Sequence, residues 1–256
     1  MVFIIINMLH VTKIAFAVLL FISTALHGAD NSGCSNPVYL TFDTGNMKTA
    51  EEIANTLKQK NVRATFFLAN NKTFKGTKAL SPAWQKFWKT RVSEGHGFGN
   101  HTWSHYFVRQ DINKSTLKAY GWNGKPVKLN ERAFCAELKK VQSAFYKLTG
   151  YKLDKIWRAP AGRTTQNSIR WAAGCGYPIH VGWSKAGYIR DDISSERLSN
   201  RQLLKHASKH IKKGDIVLMH LGVWDRKEQA ASILPALIDN LRKRRLCFMP
   251  LGGMGS

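Results

Sequence analysis

The sequence is poor in acid: 16 Asp and Glu stand against 39 Lys and Arg in 256 residues, a formal net charge of +23. It has four cysteines, at 34, 135, 175 and 247. Their scatter excludes a CxxC metal site, while their even number permits disulfides in an exported chain without naming the pairs. No uncharged apolar run reaches the roughly 20 residues that a membrane span requires. No glycine-rich phosphate turn follows the first strand candidate, which removes the dinucleotide-binding class. Glycine and proline are ordinary, and 44% of residues are hydrophobic against 21% charged, so neither disorder nor a fibrous repeat is indicated. A compact globular chain with a strongly basic surface is what remains.

The run IAFAVLLFISTAL, Ile14 to Leu26, follows Lys13 and precedes the small residues Gly28 and Ala29. Residues 1–29 therefore read as a secretory signal, with a start at Met8 giving the better-proportioned one. Cleavage after Ala25 fits the small-x-small rule through Ser23, and cleavage after Ala29 fits it less well through His27. The expected location is periplasmic or secreted, with no stable membrane span once the signal is removed. Lys13 is the only Lys or Arg in the signal, so residues 30–256 stay basic. Outside the cytoplasm the polyanions that such a field draws are envelope carboxylates and acidic glycans rather than nucleic acid. Plain solubilising charge explains the same composition equally well.

From Val38 onward, β-prone runs alternate with helical patterns. VYLTF (38–42), VRATFFLA (62–69), HGFGN (96–100), KIWRA (155–159), IHVGW (179–183), IVLMH (216–220) and LCFMPL (246–251) are strand candidates. Helical periodicity covers 49–60, 131–148, 165–173, 195–211 and 229–244, and Ser81 with Pro82 reads as the cap of a further helix. About seven strands separated by helices predict an α/β fold, a deformed parallel β/α barrel in a single domain. The stretch 106–130 has weak periodicity and reads as an insertion or lid over one end.

Barrel enzymes carry their chemistry at the carboxyl ends of the strands. Asp43, His101, Arg158 and His220 all fall there. Each has a bland reading: Asp43 as a helix cap, the histidines as satisfied polar groups, Arg158 as a simple ion-pair partner. Four reactive side chains at four equivalent positions are not what packing predicts. His101 and His105 are four apart in HTWSH, a spacing that on a helical turn turns both imidazoles to one point and suits a divalent ion such as zinc. Asp43 and Thr44 are the nearest candidates for a third ligand.

These motifs, TFDTG (41–45), HTWSH (101–105), RAPAG (158–162) and LMH (218–220), occur in an order that resembles the polysaccharide deacetylases, the chitooligosaccharide-deacetylase-like carbohydrate esterases. The resemblance spans roughly Val38 to Leu251. It implies a deformed β/α barrel that removes acetyl groups from N-acetylated sugars. On this resemblance Asp43 is the general base, His101 and His105 bind the metal, Arg158 holds and tunes the base, and His220 is the general acid. Leu218 lines the acetyl pocket, Asp191 orients His220, and Thr44, Pro160 and Trp183 are substrate-side residues. The implied chemistry is amide hydrolysis, in which a metal polarises the carbonyl, a carboxylate takes a proton from water and an imidazolium protonates the departing amine.

One departure stands out. The family's first motif carries two adjacent aspartates, the second a metal ligand, and this chain has Thr44 there. Three arrangements are open: Asp43 or Thr44 completes a weaker site, another residue substitutes, or no metal is used. A retained divalent metal, zinc first, is expected, because the HTWSH pair has no other evident purpose. The expected partner is an N-acetylated glycan polymer, peptidoglycan first, whose stem-peptide carboxylates suit the basic surface. Trp84, Trp88, Trp103, Tyr106 and Trp224 are aromatics that could stack on sugars, although Trp84 and Trp88, four apart on a helical pattern, read as core. The competing functions are a glycan-binding pseudoenzyme and a metal-independent amidase acting on a small amide.

Overall fold

The computed structural model describes residues 33–251, which lie within one compact unit. The signal segment 1–29 lies outside the described residues. The first strand, β1 (Pro37–Asp43), alternates: Val38, Leu40 and Phe42 pack outward into the main core, while Tyr39, Thr41 and Asp43 take the opposite face. β2 (Thr65–Leu68), β3 (Gly97–Asn100), β7 (Ile156–Trp157), β8 (Ile179–His180), β9 (Ile216–His220) and β10 (Cys247–Phe248) complete a seven-stranded parallel sheet. Six of the seven strands fall within the stretches expected from the sequence, and β1 extends one residue beyond its expected stretch, 38–42, at each end.

One edge of β1 pairs with β9 along residues 39–43. The other edge pairs with β10 at 37–38 and with β2 at 41–43. Pairing runs on through β3, β7 and β8. The chain after β8 then comes back against β9 through a parallel bridge between Tyr188 and Leu218, which closes the ring into a deformed barrel. Inside, Phe67, Ile156, Val181 and Leu251 form a small cluster of their own. Gly99 has no alternative there, because an added Cβ would collide with the Phe67 ring.

The larger core lies between the sheet and helices α1 (Ala50–Gln59), α2 (Gln85–Ser93), α3 (Glu131–Thr149), α4 (Gln166–Gly174), α5 (Asn200–His210) and α6 (Leu234–Lys243). Trp84 and Trp88 are buried in it, as their spacing predicts. Thr165 and Ser199 each close a capping box, so α4 and α5 begin where a side chain satisfies the free amides. Ser81 does not act this way. Its hydroxyl donates to the Lys78 carbonyl, a single 3₁₀ turn covers Pro82–Trp84, and α2 starts only at Gln85.

The stretch 106–130 is more ordered than its weak periodicity predicts. It forms an antiparallel meander, β4 (Phe107–Asn113), β5 (Thr116–Tyr120) and β6 (Pro126–Leu129). Register shifts between Val108 and Gln110 and between Asp111 and Asn113 break the simple two-residue alternation that would have marked β4 as a strand. Val108, Leu117, Ala119 and Leu129 anchor it to the main core, and Asp111 accepts from the Asn167 amide at the start of α4.

Two disulfides pair all four cysteines. Cys135–Cys175 ties α3 to the end of α4, and Cys34–Cys247 joins the amino-terminal approach of β1 to β10 across 213 positions. Closing so long a loop restricts the unfolded chain, an effect worth about 2–4 kcal/mol. Cys34→Ser together with Cys247→Ser is expected to lower the urea midpoint of unfolding while leaving the far-ultraviolet dichroism unchanged; an unchanged midpoint would show that the bridge adds no stability.

Candidate active site

Asp43 and His220 are the last residues of β1 and β9 and are direct partners in the parallel register. His101 follows β3 and Arg158 follows β7. The four residues singled out in the sequence therefore meet at one end of the barrel. A separate cavity of about 460 Å³, lined by Lys139, Tyr146, Lys152 and Tyr177 among others, lies outside α3 near the start of β7, away from this end.

Arg158 is 0% exposed, and four of its five guanidinium N–H groups have acceptors. Nη1 donates to Asp43 Oδ1 at 2.8 Å, and Nη2 donates to Thr41 Oγ1 at 2.9 Å and to the Gly182 carbonyl at 3.0 Å. Nε donates to the Val181 carbonyl at 3.1 Å, and the ring of Phe67 lies 4.0 Å beneath the cation. One side chain thus ties β1 to β7 and to the segment after β8. Asp43, 3% exposed, caps no helix. Burial alone would raise its carboxyl, but His101, Arg158 and His220 outweigh that and hold it below its ordinary value. It is an ionised carboxylate at neutral pH.

The two histidines are not on a helical turn. β3 stops at Asn100, and the loop beyond it turns through left-handed backbone at Thr102 (φ 61°) and His105 (φ 52°). This brings the rings together edge-to-face, 4.7 Å apart. Left-handed non-glycine residues also occur at Met47 after TFDTG, at Ala161 within RAPAG and at Arg190 before Asp191, as well as at Asn61 after α1 and Arg245 before β10. Each such residue costs on the order of 1–3 kcal/mol, and strain of this kind collects at functional ends. Burial, reinforced at His105 by its neighbour His101, pushes both imidazoles down, so they are neutral near pH 7.

The donor set bears on a metal. His101 Nδ1 lies 2.9 Å from the Arg158 carbonyl, which can only accept, so that nitrogen carries the proton. The lone pair of His101 Nε2 then faces Asp43 Oδ2 at 3.3 Å, acceptor against acceptor. Only a proton or a cation relieves that pairing. His105 Nδ1 is buried without a hydrogen-bond partner. Neutral imidazoles beside a carboxylate are the protonation states that a divalent ion requires. Among the described residues no three His, Cys, Asp or Glu side chains form a ready metal cage; the paired rings of His101 and His105, with Asp43 beside His101, are the donors that this end offers.

Thr44 does not complete that set. It is buried, its hydroxyl donates to Asn71 Oδ1 at 2.9 Å, and it accepts from the Ala69 amide at 3.2 Å. Those bonds tie its hydroxyl to the loop after β2. The next residue, Gly45, is left-handed (φ +53°) and lies against the Gly222 carbonyl, where no Cβ fits.

Asp191 lies next to His220. Its Oδ1 is 2.9 Å from His220 Nδ1, and its Oδ2 accepts the His220 amide at 2.7 Å. Burial works against the charged ring, yet the Asp191 carboxylate outweighs it and lifts His220 to about 9. About a fifth of the His220 side chain still reaches solvent. Arg226, which the sequence did not single out, is buried and holds the loop after Asp191 through the carbonyls of Ile193 and Leu198 and the side chain of Asn200. Leu218 is buried two residues before His220 on β9, Pro160 is buried in the turn after Arg158, and Trp183 packs over Gly162 in that same turn. Trp103 and Tyr106 pack partly buried against the core, whereas Trp224 is exposed in the loop after His220.

Sequence reading also passed over Trp122. It occupies the Gly121–Gly124 turn between β5 and β6 and stacks on His105, with centroids 4.8 Å apart and planes at 16°. An aromatic in a glycine-flanked turn, where packing demands none, was the available signal.

Removing the guanidinium would leave a buried carboxylate unpaired, which costs about 3–5 kcal/mol. Arg158→Ala is expected to lower the urea midpoint more at pH 7 than at pH 4. Without Arg158, burial raises the Asp43 carboxyl, so at pH 4 the variant relieves the unpaired charge by taking up a proton, whereas at pH 7 the charge stays buried. Equal losses at both pH values would remove the ion pair from the account of stability.

Comparison with known proteins agrees with this geometry. The polysaccharide deacetylase family matches residues 30–180. A peptidoglycan-N-acetylglucosamine deacetylase of Bacillus cereus is 27% identical over 218 residues, covering 85% of this chain and 67% of that relative. Among solved structures, the Bc1960 peptidoglycan N-acetylglucosamine deacetylase superposes with a TM-score of 0.64 at 24% identity, covering 84% of this chain and 86% of its own. BA3943, a CE4 family pseudoenzyme from Bacillus anthracis, superposes with a TM-score of 0.63 at 19% identity, covering 84% of this chain and 64% of its own. These structures share the fold. By the extent of the family match, which covers more than half of the sequence, this chain belongs to the polysaccharide deacetylase family.

Proposed function

We propose that this protein is an exported hydrolase that removes N-acetyl groups from an N-acetylglucosamine-containing glycan, peptidoglycan first. The observation that carries the reading is the juxtaposition of an ionised carboxylate, Asp43, and a protonated imidazole, His220, as register partners at the barrel mouth. Amide hydrolysis needs such a pair: Asp43 takes a proton from the attacking water, and His220 delivers one to the departing amine nitrogen. Arg158 keeps Asp43 ionised and aimed, and Asp191 keeps His220 protonated on Nδ1 so that Nε2 can donate. His101, His105 and Asp43 would hold a divalent ion, zinc first, and that ion supplies positive charge that polarises the acetamido carbonyl. Outside the cytoplasm, the basic surface suits the carboxylates of peptidoglycan stem peptides.

A second reading, a glycan-binding barrel without turnover, is favoured by one observation: Thr44 is locked to Asn71 and offers no third ligand of its own. Acetate release from peptidoglycan sacculi, in zinc-supplemented buffer and after chelation, separates the two. Release that chelation abolishes is expected; binding to sacculi with no release in either condition would favour the binder. Metal analysis is expected to find less zinc in His101→Ala and His105→Ala than in the parent. Asp43→Asn, which retains an amide oxygen, is expected to keep more metal than turnover. Full zinc occupancy in both histidine variants would reject the assignment.

Because the general acid is lifted to about 9 by Asp191, the alkaline limb of kcat/KM is expected near that pH. Asp191→Asn removes the attraction while burial remains, so the limb should move to lower pH. A limb that stays in place would free His220 from the role of acid.

A further inference from the structure

Trp122 is 65% exposed, yet it is not loosely held. The turn that carries it is closed by hydrogen bonds from the Gly124 amide to the Gly121 carbonyl and from the Lys125 amide to Asn123 Oδ1. One face of the indole stacks on His105. Phe107 pins the stack from the side, with its ring edge-to-face to His105 at 5.1 Å and to Trp122 at 5.3 Å. The remaining indole surface is open to solvent beside a histidine that neighbours His101 and, through it, Asp43. An exposed tryptophan buries little on folding, so packing alone gives no reason for this residue in the turn.

We propose that Trp122 is the sugar-stacking platform of this site, its outer surface carrying a pyranose ring of the glycan next to the one whose acetamido group reacts. The inference rests on the deacetylase reading above and deepens it: the site takes a chain of sugars rather than a single residue or a small amide. The apolar C–H face of a pyranose matches an indole face, and the ring is already immobilised, so little side-chain freedom is lost on binding. The meander then contributes twice, shielding one face of His105 from water and extending the binding surface beyond the reacting sugar.

The test uses the full chain with Asp43→Asn as a non-hydrolysing background, and titrates N-acetylglucosamine tetramer and monomer by calorimetry. Adding Trp122→Ala is expected to weaken tetramer binding roughly tenfold, the equivalent of one lost stacked ring, and to change monomer binding little. Trp122→Phe, which keeps an aromatic face, should recover part of the loss and guards against a folding defect. In the active protein, Trp122→Ala should lower kcat/KM for the tetramer more than for the monomer. Equal losses on both ligands would make Trp122 only a packing partner of His105 and overturn the platform. Failure of both the Asp43→Asn protein and the chelated parent protein to bind any N-acetylglucosamine oligomer would overturn the deacetylase reading, and the platform with it.

Discussion

The buried ion pair between Arg158 and Asp43 is the constraint on which the barrel mouth depends. A guanidinium with no solvent exposure is tolerated only because nearly every N–H has an acceptor: the Asp43 carboxylate, the Thr41 hydroxyl and two backbone carbonyls after β8. Those acceptors come from different strands, so satisfying one side chain fixes the strands' relative positions. The Arg158 carbonyl also orients His101, so the same residue that holds the carboxylate sets the tautomer of the imidazole facing it. Charge, register and ring orientation are therefore one coupled arrangement.

The two halves of the site are tuned in opposite directions by comparable means. Around Asp43, the Arg158 guanidinium and the protonated His220 outweigh burial and keep a carboxylate ionised. Around His220, a carboxylate outweighs burial and keeps an imidazole protonated. Separating an acid from a base across one strand pair in this way is what proton transfer in both directions requires. The loops that present these groups carry left-handed residues at Met47, Thr102, His105, Ala161 and Arg190, a local cost that the packed helices behind the sheet offset.

Much of this was legible beforehand. The seven strands announced themselves because each is a short β-prone run, and parallel strands buried on both faces keep nearly continuous apolar character. Asp43, His101, Arg158 and His220 were legible because strand ends in a barrel are equivalent positions, so reactive residues there stand out. The β4–β6 meander was not, since its register shifts erase a clean two-residue period. Trp122 was missed for a different reason: its role is set by a stacking partner, His105, that sequence distance does not reveal. The HTWSH spacing suggested a helix, and the chain instead reached the same meeting of rings through a left-handed loop.

By itself, the sequence determined the α/β class, the strand set, the ordered motifs and the basic charge, because these depend on residue identity, local periodicity and composition. Only the tertiary structure decided which cysteines pair, that Thr44 is spent on Asn71, that Asp191 reaches His220 and that Trp122 covers His105. Each of those is a contact between segments far apart in the chain or joined by irregular loops. Local periodicity carries no information about such contacts, and closing the barrel creates them.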